Sequence, residues 1–304
     1  MAFVGRLISL TFTLSPGVQN ANPTFAGTNS NTLTVSGLRV AANLKAAATP
    51  SQGTAEVQVY GMTLSHMNQL STLGLARKLI ANNTIKIMAG NDDGTPLKQV
   101  FYGVILQAWS DFQGAPNVPL HLMCQTLAFN SVIPTKPLSY NGSTDAASVM
   151  QTIAGKMGCT FENNGVNVKL SSPYLYGSLK DQADDIARSA QCNWTVDQTN
   201  TLAIWPQGGS RNGSPTQVSP PPNGEMIGYP TFANYMMFIK HVFNSNFKLG
   251  STLQVQSSLP ATKGIWSIMS LDHILESQVF HGKWESLIGI YNPTFVAPVP
   301  QPPS

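Results

Sequence analysis

Few polar residues of this 304-residue chain are placed where they could do chemistry together. The densest group of possible metal ligands is Asp272-His273 with Glu276. We place this segment on a β-strand, where neighbouring residues face opposite sides, so Asp272 and His273 could not bind one ion together. The sequence therefore favours a structural role or a polar contact between subunits. We expect no metal site and no cofactor.

A second acidic group raises the possibility of glycan hydrolysis. Asp181, Asp184 and Asp185 lie in a predicted helix, with Trp194 and Trp205 further along the chain. A glycosidase needs two carboxylates that converge about 5–9 Å apart. Acids on the exposed side of one helix, without an apolar cleft, do not provide this geometry. A glycan-binding or glycan-hydrolysing protein therefore stays open only as an alternative.

Recognised catalytic motifs are missing from the sequence. It contains no Gly-x-Ser-x-Gly, no Walker-type phosphate loop and no His-Glu-x-x-His. Aromatic residues at strand ends pack more often in a core than on a sugar, and we predict this for Tyr174, Tyr176, Trp194 and Trp205. We predict a protein with no catalytic residues, which is not an enzyme.

Composition points to a surface that is neutral and polar. Charged residues make up 10% of the chain, compared with roughly 25% in an average soluble domain. The net charge of +3 is too small to indicate a nucleic-acid binder. No run approaches the ~18 apolar residues of a membrane helix, so we predict no membrane insertion. Such a surface suits a subunit that hides much of itself in an assembly.

Alternating residues predict strands in the first part of the chain, interrupted by one short helix. Glu56–Tyr60 and Val100–Trp109 alternate with a period of two. Within the predicted helix, residues 63–73, apolar residues recur at every third position, and we expect them to pack on the sheet: Leu64, Met67 and Leu70. A tight hairpin turn is predicted at Asn91, Asp92, Asp93 and Gly94, because Asp-Gly accepts positive φ.

The middle of the chain predicts a small mixed unit. Helices are expected over Ser143–Gly158, capped by Ser143 or Thr144, and over Ser178–Gln191. A hairpin is expected around Asn163–Gly165, and another joins Cys192–Val196 to Thr201–Trp205. A helix followed by a hairpin therefore occurs twice in this unit.

The resulting fold class is mainly β with an α+β insert: two antiparallel β-barrel, tube-type domains flank a small mixed α+β domain. We predict the boundaries as residues 1–127 for the first barrel, 128–207 for the mixed domain, 208–292 for the second barrel and 293–304 for a Pro-rich tail. Gly208-Gly209-Ser210 is predicted as a hinge rather than a nucleophile turn.

Several segments resemble the baseplate hub proteins of contractile-tailed bacteriophages, the Mu-like or myovirus hub family. They are spread over residues ~56–290 in the family's order. The segments are Glu56–Gly61, Met67–Gly74, Phe161–Val166, Leu202–Ser210, Gly228–Phe232, Val255–Ser258 and Leu275–Gln278.

The resemblance implies a homotrimeric structural hub whose subunits each supply two similar barrels. Three subunits would then present six barrels in a ring, which adapts a sixfold tail tube to a threefold central spike. The channel would pass DNA. The implied partners are the hexameric tail tube protein, the central spike protein, baseplate wedge proteins, and DNA and the tape measure protein in transit. The implied location is the virion tail baseplate, assembled in the host cytoplasm.

Within this implied assembly, we expect the hairpin Asn91–Gly94 and the region of Arg39 to make axial or lateral contacts. Two alternatives remain. One is a glycan-binding or cell-wall-degrading tail protein. The other is a tail-tube or tail-completion protein, which predicts a ring of six subunits rather than a trimer.

Overall fold

The computed structural model describes residues 5–16, 22–47, 51–72, 82–233 and 236–292, and in these ranges the chain is mainly β. The first segment carries β1 (Arg6–Thr13), β2 (Thr32–Ser36), β3 (Val40–Ala46), β4 (Thr54–Tyr60), β5 (Thr84–Asn91), β6 (Lys98–Ser110) and β7 (Pro119–Gln125). The middle segment carries β8 (Leu138–Ser139), β9 (Ser143–Asp145), β10 (Thr160–Asn163), β11 (Lys169–Ser171), β12 (Tyr174–Leu175), β13 (Cys192–Val196) and β14 (Thr201–Pro206). The last segment carries β15 (Thr216–Val218), β16 (Thr231–Ala233), β17 (Met236–Val242), β18 (Thr252–Val255), β19 (Gly264–Ser277) and β20 (Trp284–Tyr291).

Three α-helices lie within the described ranges. They are α1 (Leu64–Leu70), α2 (Ala146–Met157) and α3 (Leu179–Ser189). Short 3₁₀ turns occur at Phe129–Ser131 and Pro260–Thr262. The predicted Pro-rich tail, residues 293–304, lies outside the described residues.

One sheet runs through the first and the last segments. Its strand order is β16-β17-β20-β19-β3-β4-β7-β6-β5-β1-β2, with β15 and β18 attached beside β19. The 14-residue strand β19 makes this continuity possible. Its first residues, Gly264–Ser267, pair with β18, and Leu271–Ser277 pair with β3. One strand therefore belongs to both β segments.

The sequence predicted two β-barrel domains, and the described residues show an open strand order without a closed barrel. β1 approaches the β19–β20 turn, where Arg6 Nη1 donates to the Gly282 carbonyl at 2.8 Å. In the described ranges, however, no ladder joins β1 or β2 to β19. The strand β19 is long enough to pair with strands of both β segments.

Three hydrophobic clusters lie behind the strands and helices. In β1, Ile8, Leu10 and Phe12 are buried at alternate positions, as the period of two predicts. Their cluster also contains Leu275 and Trp284 from the last segment. The other two clusters belong to the middle segment and to the last segment. Leu275 and Trp284 therefore tie the last segment to the first. The domain boundaries given in the sequence analysis stay predictions.

Helix α1 buries only part of its predicted apolar stripe. The Thr63 side chain caps the helix by accepting from the His66 amide. Met67 and Leu70 are buried in the first cluster, whereas Leu64 is 54% exposed. At 100° per residue, Leu64 and Leu70 are about 120° apart, so three-residue spacing cannot hold all three on one face. The expected inward packing of Leu64 is wrong.

The middle segment differs from its prediction at two places. Asp145, rather than Ser143 or Thr144, caps α2 through its bond from the Ser148 amide. Residues Ser143–Asp145 instead form β9, which pairs with β11. The expected hairpin around Asn163–Gly165 is also wrong, because β10 pairs in parallel with β14 rather than with β11. The predicted hairpin β13–β14 is present.

Candidate functional site

Hydrogen bonds and a glycine with positive φ define the conformation of the predicted contact turn Asn91–Gly94. Asn91 ends β5 opposite Arg6, and Gly94 has φ +84°, a conformation that favours glycine. The Asp93 carboxylate accepts from the Thr95 amide at 2.9 Å and from its hydroxyl at 2.6 Å. These bonds from Thr95 lower the pKa of Asp93. The turn thus presents a fixed, exposed carboxylate, and its role in contacts between chains stays a prediction.

The second predicted contact residue, Arg39, lies between β2 and β3. Its guanidinium is 4.4 Å from the centre of the Tyr60 ring, and its carbonyl accepts from the Tyr60 amide. The next residue, Val40, pairs with Ser277 at the end of β19. Arg39 is therefore an exposed cation held at the junction of the two β segments.

Sequence reasoning missed an exposed aromatic residue in the turn between β19 and β20. Phe280 is 83% exposed, and its ring meets that of His281 edge-on, at 4.0 Å between ring centres. Gln278 and His281 both adopt positive φ in this turn. The available signal was the Phe at the centre of the Gln-Val-Phe-His-Gly turn, residues 278–282.

The most strongly charged buried site was also missed. Arg211 lies just after the predicted Gly-Gly-Ser hinge, and its side chain is 3% exposed. Its Nη1 atom lies 3.0 Å from Asp197 Oδ2, and its Nε donates to Glu162 Oε1 at 3.0 Å while Nη2 pairs with the other Glu162 oxygen. Lys248 Nζ adds a second cation 3.2 Å from Asp197. We call these four residues the charged joint.

Electrostatics keep the charged joint ionised. Burial alone would raise the pKa values of Asp197 and Glu162. At Asp197, this effect is outweighed by the hydrogen bond from the Thr199 hydroxyl and by the charges of Lys248 and Arg211, so the pKa of Asp197 is lowered. At Glu162, Arg211 outweighs the effect of burial, and the pKa of Glu162 is lowered as well. Burial opposes the charge of Arg211 too, but the two carboxylates raise its pKa. A Gly-rich segment predicted as a hinge is therefore held to the middle segment by buried ion pairs.

Gln198, at the tip of the β13–β14 hairpin, makes polar contacts with both the first and the last segment. The Gln198 amide nitrogen donates to His273 Nε2 at 2.9 Å, and the Gln198 carbonyl accepts from Gln99 at 2.8 Å. Because an amide nitrogen can only donate, Nε2 accepts and the ring proton sits on Nδ1, which donates to Ser286 Oγ at 2.8 Å. His273 is 1% exposed, and burial lowers its pKa to about 3.

His273 and Asp272 face opposite sides of β19, as the sequence predicted. His273 is buried, whereas Asp272 is partly exposed and its pKa is raised by burial. Within the described ranges, no three His, Cys, Asp or Glu side chains come together as a possible metal site.

The acids of the hydrolase alternative each have a structural partner. Asp181 completes the capping box of α3 with Ser178. Asp184 accepts from Lys180 Nζ at 2.6 Å and from Trp194 at 3.0 Å. Asp185 pairs with Arg188 at 3.4 Å. These contacts explain the acids without a converging catalytic pair.

The four aromatic residues divide into two groups. Trp194 and Trp205 are buried, in agreement with the core prediction. Tyr174 and Tyr176 are each 63% exposed and 6.4 Å apart, so the core prediction is wrong for both. They lie at and just beyond the two-residue strand β12, which is too short to cover them.

Comparison with known families identifies the family of this chain. The sequence profile of the Baseplate hub gp41 family matches residues 11–281, which includes β19 and most of both β segments. The chain belongs to this family. This is a family of structural baseplate hub proteins, which agrees with the resemblance seen in the sequence.

Solved structures share the fold of this hub chain at very low sequence identity. A tail protein from Neisseria meningitidis MC58 is 10% identical, with a TM-score of 0.63 over 96% of this chain and 98% of that one. The 43 kDa tail protein of prophage MuSo2 from Shewanella oneidensis is 7% identical, with a TM-score of 0.56 over 94% and 98%.

A third structure comes from a secretion system. The E. coli c3393 protein, a component of the type VI secretion system, is 8% identical, with a TM-score of 0.53 over 84% of this chain and 73% of that one. That protein is described as similar to the T4 bacteriophage tail proteins gp27 and gp5. Among curated proteins, no match to the hub chain was found. None of the helices in the described ranges has the length and hydrophobicity to cross a bilayer.

Proposed function

We propose that this hub chain forms a homotrimer with a pseudo-sixfold ring, which adapts the sixfold tail tube to the threefold central spike. The observation that carries this proposal is the family match over residues 11–281, which includes two β segments joined in one sheet. Two β units in each of three copies supply six positions around a ring. The work of the protein is then done by shape, without catalysis.

The shared strand β19 suits this role because it fixes the two β units relative to each other. Seven residue pairs join β19 to β3, and the first hydrophobic cluster takes Leu275 and Trp284 from the last segment. The charged joint ties the middle segment to the same body. A subunit that carries load between tube and spike needs such fixed geometry.

The two ends of the strand order offer surfaces for association. β2 and β16 end the path of the sheet in the described residues, and strand edges with unpaired backbone groups invite pairing with another chain. We propose that neighbouring subunits cover these edges. The turn Asn91–Gly94 and Arg39 supply fixed charges of opposite sign for axial or lateral contacts.

The proposed partners are the hexameric tail tube protein, the central spike protein and baseplate wedge proteins, in the tail of a contractile phage virion assembled in the host cytoplasm. The proposed central channel would pass DNA and the tape measure protein. A charged fraction of 10% supports passage, because strong phosphate contacts would hold the DNA.

The mass of the purified chain in solution tests this proposal first. We expect a species of about 98 kDa, three times the 32.6 kDa of one chain, by sedimentation equilibrium or light scattering. Averaged end-on images should show a threefold ring with six similar lobes. A monomer at high concentration would overturn the hub assembly, and a ring of six subunits would favour a tail-tube protein.

Charge reversal at Arg39 tests the predicted contact surface. We expect Arg39→Glu to weaken self-association by about tenfold or more, because an interface that contains Arg39 would place acceptor groups of the neighbouring subunit opposite it, and these would repel the new carboxylate. Sedimentation velocity over a concentration series measures this change. Lys136→Glu is the matched control, because Lys136 is an exposed cation of the middle segment. Equal association of the Arg39 variant and the native chain would remove Arg39 from the interface.

A further inference from the structure

A shallow groove of about 470 Å³ crosses the solvent-facing side of the shared sheet, from β6 to β19. Strand register places one row of residues across its floor. The row is Trp109, His121, Gln58, Ala41 and Glu276. The small side chain of Ala41, next to Glu276, leaves the floor open there, and the row continues across the boundary between the two β segments.

An exposed aromatic surface marks one end of the groove. Trp109 is 43% exposed, and its ring lies parallel to that of His121 at 5.1 Å and 4°. The other four tryptophans of the chain are at most 7% exposed. A fixed, accessible indole is a strong partner for a cation, because the face of the ring carries negative electrostatic potential.

Acceptors line the remainder of the groove. Glu56 and Glu276 contribute carboxylates, and no lysine or arginine lines the groove. In the part of the chain that the structure describes, neither carboxylate forms an ion pair, although Glu276 accepts from the Lys283 amide at 2.8 Å. Asn43 Oδ1 is buried there without a hydrogen-bond partner. The groove is thus acidic in a chain whose net charge is +3.

We propose that this groove binds an extended segment of a partner polypeptide that carries arginine or lysine side chains. Four strand spacings separate Trp109 from Glu276, a distance of about 19 Å that fits about six extended residues. A guanidinium on the face of Trp109 can also reach towards Glu56, and further donors of the segment meet Glu276. The proposal goes beyond the hub function and does not depend on the trimer.

The chemistry of the groove selects this partner over two others. An anionic ligand such as a nucleic acid would meet two carboxylates and no compensating cation. A neutral segment would leave both carboxylates desolvated without a partner, which costs free energy. A basic segment satisfies the carboxylates and the indole together.

The test titrates the full chain with the peptide acetyl-Gly-Arg-Gly-Arg-Gly-Arg-amide and follows tryptophan emission. Trp109 dominates the response because it is the exposed tryptophan. We expect saturable binding that weakens with added salt. Peptides with glutamine or glutamate in place of arginine should not bind. Equal binding of the glutamine peptide would overturn the proposal.

Matched variants locate the binding. The double variant Glu56→Gln and Glu276→Gln should lose about tenfold in affinity, since each exposed ion pair is worth up to about a factor of five. The control replaces two carboxylates that are remote in sequence from the groove strands, the partly exposed Asp185→Asn and the exposed Glu225→Gln, and should bind as the native chain does. Trp109→Phe should weaken binding measured by calorimetry. Unchanged affinity in the Glu56/Glu276 variant, or spermine binding as tightly as the peptide, would contradict a polypeptide site here.

Discussion

Replacement of Arg211 by methionine is expected to lower the free energy of unfolding by about 3 kcal/mol, the lower end of the range for breaking a buried ion pair. The reason is the Asp197 carboxylate, which is 2% exposed and would lose its buried cation. Lys248 Nζ, 3.2 Å from Asp197, remains and keeps the loss at the lower end. Urea unfolding measures the change as a shift of midpoint at constant slope.

Two comparisons make this experiment specific to the charged joint. Arg188→Met removes an exposed arginine, 78% accessible, from its pair with Asp185 and should change stability by less than about 1 kcal/mol. Adding Asp197→Asn to Arg211→Met should recover part of the loss, because no buried charge is left alone. If the Arg211 variant loses less than about 1 kcal/mol of unfolding free energy, the charged joint makes no net contribution to stability.

Acid is expected to destabilise the native chain from pH 6.5 downwards because of His273. Its pKa in the fold is about 3, whereas the unfolded chain has an ordinary value of about 6.5. Between these values the unfolded state binds more protons, so stability falls as pH falls, with a slope that approaches about 1.4 kcal/mol per pH unit. The physical cause is the buried ring between Gln198 and Ser286, which cannot accept a second proton without losing its bond from Gln198.

The range from pH 4.5 to 6.5 separates His273 from the charged joint. Asp197 and Glu162 have lowered pKa values, so their stabilisation is complete above the ordinary carboxylate range and is lost only at lower pH. His273→Gln should flatten the pH dependence in this window, whereas His121→Gln, on the exposed face of the sheet, should leave it unchanged. The same slope in the native chain and the His273 variant would assign the acid sensitivity to another group.

Both predictions concern residues whose surroundings were invisible in the sequence. Arg211 follows a Gly-Gly-Ser stretch that is typical of a flexible hinge, and nothing near it in the chain pairs with it. Its partners are 14 and 49 residues away. His273 alternates with Asp272 on a predicted strand, so its inward face was predictable. Its contact with Gln198, 75 residues away, was not.

Local sequence determined the elements with strong periodicity or strong caps. Alternation placed β4 and β6, and the helix predicted from Ser178 is present as α3, where Ser178 forms a capping box with Asp181. These signals work because they depend on neighbours within a few residues. The spacing of Leu64, Met67 and Leu70 failed, because a period of three drifts around a helix of 3.6 residues per turn.

Tertiary structure alone decided how the strands meet. The turn signal at Asn163–Gly165 was real, since Asn163 holds the Val166 backbone, but β10 paired with the distant β14. Likewise, no local feature of β19 or β3 indicates that they join, although this ladder unites the two β segments. The sequence by itself determined the strands, the family and the neutral surface, which depend on residue types and short spacings. Strand partners and buried ion pairs depend on long-range burial, and only the folded chain could decide them.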